Sequence, residues 1–582
     1  DLGESCFSPD GRYVFYSEDM YPGGYFQYNK DVNNQIYVIK RYDTQTGENE
    51  TITGGSGGAV RPQISRDGKT LAFVRRVREK SVLFLRDMQT GEEWPVYDQL
   101  SKDQQEAWAI FGVYTNFSWM PDNKEIVIWA MGKLKRINIA DKSVAEIPFT
   151  VDCKHKITDA FHFEQEAAPD SFDVKAIRQI TTSPDEKTIV FNAAGFLWKS
   201  DLPNGKPVRL TNSKDFEFEP SFSADGKSLV YVTWNDEQSG AVMTLNMGKP
   251  GATAVKVTKE KGIFRTPRFS ADGKNIVFTK EDGNDHQGFT NSVVTGIFSV
   301  PANGGESHLV SKEGTNPYFN SDGTRIFYLN DEGDKKTFKS VGIDGKEIKT
   351  HFTSKYANSF VPSPDNKWIA FTELFKVYVA AFPPSGSMMD LSAGNKGFPV
   401  AQTAKDGGMS LHWSKNSDKI FWVSGNEYFS NELKKRFTFL PEAIDSVPPP
   451  DSTVTKISLR LPSDKPKGII AFTGCRIITM NGSREVIENG TIIVTDNKIT
   501  DLGAANTITV PANAKIIDVK GKTIMPGIID VHAHLGTFRQ GLSPQKQWSY
   551  FANLAYGVTT THDPSSNSEM VFSQSEMVKA GY

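Results

Sequence analysis

The sequence predicts a mainly β protein: a multi-bladed β-propeller over residues 1–440, followed by a smaller β-rich module and the opening units of a β/α barrel. Three observations carry that prediction. A turn-and-strand unit recurs about nine times, a proline-rich stretch interrupts it near residue 448, and the string PGIIDVHAHLG at 526–536 sets His532 and His534 two positions apart at the end of an apolar run.

The repeat consists of an aromatic or apolar residue, Ser, a small residue or Pro, Asp, Gly or a substitute, then a β-rich run. It reads CFSPDGRYVFY at Cys6, PQISRDGKTLAFV at Pro62, PSFSADGKSLVYV at Pro220 and PRFSADGKNIVF at Pro267, and ends with a weaker ninth copy, LHWSKNSDKIFW, at Leu411. The turn aspartates Asp10, Asp67, Asp122, Asp185, Asp225, Asp272, Asp322 and Asp365 lie 40 to 63 residues apart, the period of a four-stranded blade with loop insertions. Pro9 presets φ for the first turn, Asp10 caps it and Gly11 accepts positive φ. A turn alone accounts for these aspartates, so no calcium or catalytic role is assigned to them. Nine units exceed the usual four to eight blades, which predicts either an unusual ring or two rings with the first incomplete.

Other features of this region read as structural. Gly54-Gly55-Ser56-Gly57-Gly58 matches the GxSxG nucleophile elbow in letters, but it is a Gly-rich loop between strands rather than a strand-to-helix turn, and Ser56 is a weak candidate nucleophile. Arg75, Arg76, Arg78 and Lys80 read as a solvated strand edge, with a substrate or domain contact as the alternative. Trp108, Phe111, Phe117 and Trp119 read as blade core.

Pro448-Pro449-Pro450, Pro462 and Pro466 predict a stiff linker over 441–467. Residues 468–525 then read as short strands punctuated by Asn-Gly, Asp-Asn and Gly turns, a small β-sandwich leading into the histidines. Thr523-Ile524-Met525 and Ile528-Ile529-Asp530-Val531 read as a buried parallel strand entered through the Pro526-Gly527 turn. With a side-chain period of two, His532 and His534 leave one face, their Cα atoms about 6.5 Å apart. Both can then reach one ion at about 2.0–2.1 Å, which makes them half a metal site. In a β/α barrel the carboxyl end of such a strand is the catalytic face.

Composition sets outer limits. The 582 residues suffice for several domains. A net charge of -3 gives no electrostatic reason to bind nucleic acid or anionic lipid. Cys6, Cys153 and Cys475 show no metal or redox spacing and read as free buried thiols. No apolar run approaches the roughly 18 residues of a membrane span. The chain opens inside a repeat unit, so the natural N-terminus is expected upstream, with any export signal.

Residues 468–567 resemble the N-terminal segment of the amidohydrolase superfamily. The matching features are CRIITMNG, the ENGTIIVTDNKITDLG hairpin, the VPANAKIIDVKGKTIMPGIID approach and the HxH pair, while GVTTTHDPSSNS at 557–568 is similar to the second barrel strand and its loop. With the upstream repeats, which look TolB-like (PD40 or WD40-like), the chain resembles bacterial proteins in which a propeller region precedes an imidazolonepropionase-like amidohydrolase domain. The resemblance implies that His532 and His534 bind the more buried of one or two divalent ions, commonly zinc. Such ions lower the pKa of a water towards about 7 and polarise the scissile carbonyl. It implies further ligands from later strands: a carboxylated lysine or glutamate, two histidines and a proton-handling aspartate. Residues 526–582, the start of the (β/α)8 barrel, hold about one of its eight units, against roughly 250 residues for the whole. The chain is therefore expected to be a fragment, with the catalytic residues downstream of Tyr582. Asp530 is a candidate to orient a histidine ring. His562 and Asp563 are candidates for the substrate loop.

The expected activity is metal-dependent hydrolysis of a C–N bond in an amide, cyclic amide or small peptide, in the periplasm or otherwise exported, with the propeller controlling access or binding a partner. The alternative is a propeller-based binding or assembly subunit of an envelope complex with a vestigial amidohydrolase domain; an envelope protein partner or a homo-oligomer is expected in either case. A serine peptidase built on Ser56 is a third reading.

Overall fold

In a computed structural model, residues 2–20, 36–105, 113–161, 166, 168–282, 294–450, 453–536 and 541–582 are described. The chain divides into two compact units, Asp1–His162 and Phe163–Tyr582.

The first unit holds three four-stranded antiparallel sheets, spanning 2–53, 60–97 and 117–147. Each is a blade built on the repeat. Ser65 donates to Asp67 Oδ1 at 2.6 Å, and the same carboxylate accepts the Lys69 N–H at 3.1 Å, so serine and aspartate tie off the hairpin together. Phe117 and Trp119 are buried in blade core, as expected, and Trp119 Nε1 donates to Gln63 O of the preceding blade. Trp108 and Phe111 lie outside the described residues.

The basic cluster of this unit differs from the solvated edge expected for it. Arg76 is buried and ion-paired to the buried Asp103, which also accepts from Ser81 at 2.7 Å. Arg75 pairs with Glu93 at 2.7 Å and donates to Gly54 O and Gly58 O. Only Lys80, paired to Asp98, and Arg78, in a turn at φ +54°, behave as edge residues. Pairing across 27 residues of sequence is what a local charge run does not reveal. The loop of Ser56 packs its backbone on this arginine: a Cβ at Gly57 would stand 1.8 Å from Arg76 O. No helix follows Ser56, so the nucleophile-elbow context is absent.

The second unit closes a six-bladed ring. Its blades span 178–209, 216–256, 263–311, 315–354, 357–407 and 409–456, each blade packs on the next, and the last packs on the first. At that closure Thr182 Oγ1 lies 2.7 Å from both His412 Nε2 and Tyr428 OH, and Lys419 pairs with Glu186 at 2.7 Å. The nine repeats are therefore three blades plus a ring of six. Strand centres such as Val230, Tyr231 and Val232 are buried on both faces between neighbouring blades.

The ring absorbs much of the stretch read as a linker. Thr453–Lys456 is the fourth strand of the sixth blade, and Arg460–Pro462 pairs with Ser171–Asp173. Residues 469–524 form one five-stranded sheet rather than a sandwich, packed on Cys475, Ile477 and Ile492. Thr523–Ile524 belongs to that sheet, pairing with 476–477, and is not continuous with the strand before the histidines. Of the three free cysteines only Cys475 is buried; Cys6 is half-buried and Cys153 exposed.

Candidate metal centre

Two parallel strands, Ile528–Asp530 and Val558–Thr561, and two helices, Trp548–Ala555 and Ser568–Ala580, follow that sheet. This is the strand-helix-strand-helix order expected of a barrel's opening, and the described residues contain no closed barrel. Gly527 is required by packing: a Cβ there would stand 2.0 Å from Thr559 Oγ1 of the neighbouring strand. The expected burial is not found. Ile528, Ile529 and Val531 are exposed, because no second layer among the described residues covers this pair of strands.

The histidines sit just beyond the strand, which ends at Asp530. The ladder carries on as single bonds, from His562 N to Asp530 O and from Ala533 N to His562 O, both 2.9 Å. His532 and His534 thereby flank the buried Ala533 and project side by side, their rings 4.9 Å apart at 73°. Asp530 Oδ1 accepts the backbone N–H of His532 at 3.0 Å, so it fixes the loop rather than a ring. The carboxylate of Asp563 is largely buried, accepts the N–H groups of Leu535 at 3.3 Å and Ser565 at 3.1 Å, and lies 3.9 Å from His534 Nδ1. His562 enters only through its backbone, and its side chain is exposed.

Of the sequence candidates, His532, His534 and Asp563 thus meet, with Asp530 beneath them. Two imidazoles sharing one tetrahedral ion at about 2.0–2.1 Å have ring centroids about 5 Å apart, so the 4.9 Å spacing fits a shared ion. Among the described residues no cluster of three or more His, Cys, Asp or Glu suited to a metal forms. This part of the chain brings two imidazoles side by side, with a carboxylate 3.9 Å from one of them.

A cavity of about 1370 Å³ opens at the mouth of the six-bladed ring. Its wall includes Gln179, Thr266, Asn316 and Ser410 on the innermost strands, together with Gly541 and Ser566–Glu569 from the second module. Gln179, Thr266, Asn316 and Ser410 all have positive φ, at a bulge that recurs blade after blade. The sequence signal for this ring is faint: Thr266 and Asn316 are the residues before the proline that opens their repeats.

No family model matches the chain. Over 64 residues it is 39% identical to the 5-methylthioadenosine/S-adenosylhomocysteine deaminase of Bacillus thuringiensis (strain Al Hakam), covering 11% of this chain and 15% of that protein. The protein of the same name from Bacillus thuringiensis subsp. konkukian (strain 97-27) is 38% identical over 64 residues, with the same coverage. The chain thus spans about 15% of the length of these curated relatives. Among solved structures, TolB from Acinetobacter baumannii aligns with 60% of this chain and 62% of its own at 14% identity and a TM-score of 0.23. The tricorn protease aligns with 78% of this chain and 49% of its own at 12% identity and a TM-score of 0.32. Scores this low carry no inference about activity; the assignment of blades rests on the sheets themselves.

Proposed function

We propose that residues 468–582 are the opening part of a metal-dependent hydrolase that cleaves a C–N bond in an amide, cyclic amide or small peptide, with His532 and His534 as its first two metal ligands. The observation that carries this reading is the pair of rings 4.9 Å apart at the carboxyl end of a parallel strand, with the Asp563 carboxylate of the adjacent strand beside them. Similarity to proteins named as deaminases fits the same bond class. A bound divalent ion, zinc being the expected one, supplies Lewis acidity and a water whose pKa falls towards about 7.

The chain's own residues prepare that site. Asp530 holds the His532 backbone, and Asp563 stands at the Nδ1 side of His534, where a carboxylate fixes the tautomer that leaves Nε2 with its lone pair. The remaining ligands and the catalytic proton carrier are assigned by the resemblance to later barrel strands. Export of the protein rests on the same resemblance, and the six-bladed ring is read as the element that restricts what reaches the site.

Elemental analysis of the full-length protein tests this reading. The wild type should carry zinc or a similar ion in stoichiometric amount. His532→Ala and His534→Ala should each lose it and lower amide hydrolysis by at least about 100-fold, since even the outer partners of metal ligands are worth 10–100-fold. A metal-free wild type with an intact barrel would sink the proposal.

A further inference from the structure

The cavity at the ring mouth carries an element that its fold does not need. The hairpin joining Trp368–Glu373 to Lys376–Ala381 has a two-residue turn, Leu374 and Phe375, with φ of +46° and +70°. Two positive φ values in succession define a turn that favours Asn-Gly, and bulky side chains are disfavoured there. Neither side chain recovers that cost by burial, for Leu374 is 66% and Phe375 80% exposed. Phe375 stands in the cavity wall, and its carbonyl accepts the N–H of Gly408 at 3.1 Å, which ties the tip to the link between the fifth and sixth blades. Strain kept at a ligand-facing position is the pattern expected of a binding element.

Two further observations point into the same space. Thr266 and Thr279 line the cavity, and the Oγ1 atom of each is buried with no hydrogen-bond partner among the described residues, Thr279 being only 4% exposed. Buried hydroxyls are ordinarily satisfied, and these two stand at residues of one cavity wall. The loop after Val558–Thr561 links this space to the metal centre: Asp563 lies beside His534, and Ser566, Asn567 and Ser568 stand in the cavity wall.

We infer that this cavity is the substrate chamber of the proposed hydrolase and that it takes a short peptide whose aromatic or large apolar side chain packs on Phe375. The inference rests on the hydrolase reading for its link to His532 and His534. The substrate class follows from the lining. A volume of about 1370 Å³ exceeds the roughly 300–1,000 Å³ of a drug-sized site and suits a ligand longer than one nucleoside. Hydroxyl and amide side chains are the commonest in the wall, beside charged ones such as Arg265, Lys280 and Glu569, and together they match the donors, acceptors and charged ends of a short peptide, while Phe375 gives the wall one aromatic contact.

The test uses full-length protein carrying His532→Ala and His534→Ala, so that binding is read without turnover, titrated calorimetrically with the tripeptides Ala-Phe-Ala and Ala-Ala-Ala. Ala-Phe-Ala should bind more tightly. Phe375→Ala should weaken Ala-Phe-Ala at least about tenfold and leave Ala-Ala-Ala unchanged, and Thr279→Val should weaken both. Phe375→Gly, which suits the positive φ, should leave the melting temperature equal or higher while losing the same discrimination, so misfolding cannot mimic the result. Unchanged Ala-Phe-Ala binding in Phe375→Ala, or binding of adenosine in place of either peptide, would overturn the inference. Peptide binding in a protein whose wild type holds no metal would instead retain the chamber and remove the hydrolase reading.

Discussion

The closure of the six-bladed ring turns on a partly buried histidine whose protonation state is set by its partners. His412 Nδ1 faces the Ser410 carbonyl at 2.8 Å, and a carbonyl only accepts, so Nδ1 carries the proton. Nε2 is then the acceptor for the Thr182 hydroxyl, which in turn receives the Tyr428 hydroxyl proton, joining the first and sixth blades of the ring. Burial, with the charge of Arg268 adding to it, lowers the His412 pKa from its ordinary 6.5 to about 4. The stability that neutral His412 contributes is therefore complete above about pH 6.5. It is lost as pH falls towards 4, because across that window the unfolded chain binds a proton that the folded ring refuses. The loss is on the order of 3 kcal/mol. His412→Gln should flatten the fall in urea-unfolding free energy between pH 6.5 and 4 relative to wild type, and identical pH slopes would show that the histidine does not control the seam.

At the scale of elements, the Ser568–Ala580 helix joins the second module to the ring. Asn567 caps it by accepting the Met570 N–H at 3.2 Å, and Gly581 ends it at φ +79°. Met577 belongs to the main core of the ring, and Tyr582 meets Phe196 edge-on at 4.9 Å. Glu576 is the polar anchor: its carboxylate accepts the N–H groups of Lys175 at 2.6 Å and Ala176 at 3.3 Å, just before the first blade. Glu576→Ala should leave the buried Ala176 N–H unsatisfied and cost about 2 kcal/mol. Amide hydrogen exchange should show the helix opening more readily, whereas unchanged protection would mean that the apolar contacts alone hold it. The strand Ile528–Asp530 was legible because the Pro-Gly turn and the apolar run are local, whereas its partner Val558–Thr561 was expected only from the resemblance to a second barrel strand. The last strand of the sixth blade was not legible, because Thr453–Lys456 is defined by its partner at 427–430 rather than by its own proline-rich surroundings.

For the whole molecule, periodic turn chemistry made the blades readable, and each Ser-x-Asp pair closes the turn assigned to it, as in Ser223 to Asp225 and Ser270 to Asp272. Their division into three and six was not readable, since ring closure depends on contacts such as Thr182 with His412, 230 residues apart. The candidate centre was legible to the same degree: spacing in the sequence singled out His532 and His534, while the burial of Asp563 beside His534 required the neighbouring strand to be in place. The ring mouth was not legible, because the bulge positions in its lining are single residues scattered through five of the six blades. In the proposed metal centre the two imidazoles share an ion. Anomalous diffraction across the zinc absorption edge, on crystals of the full-length protein, tests it most directly. A peak within about 2.0–2.1 Å of one nitrogen of each ring is the predicted result. Well-ordered His532 and His534 rings with the peak elsewhere in the protein, or with no peak at all, would contradict it.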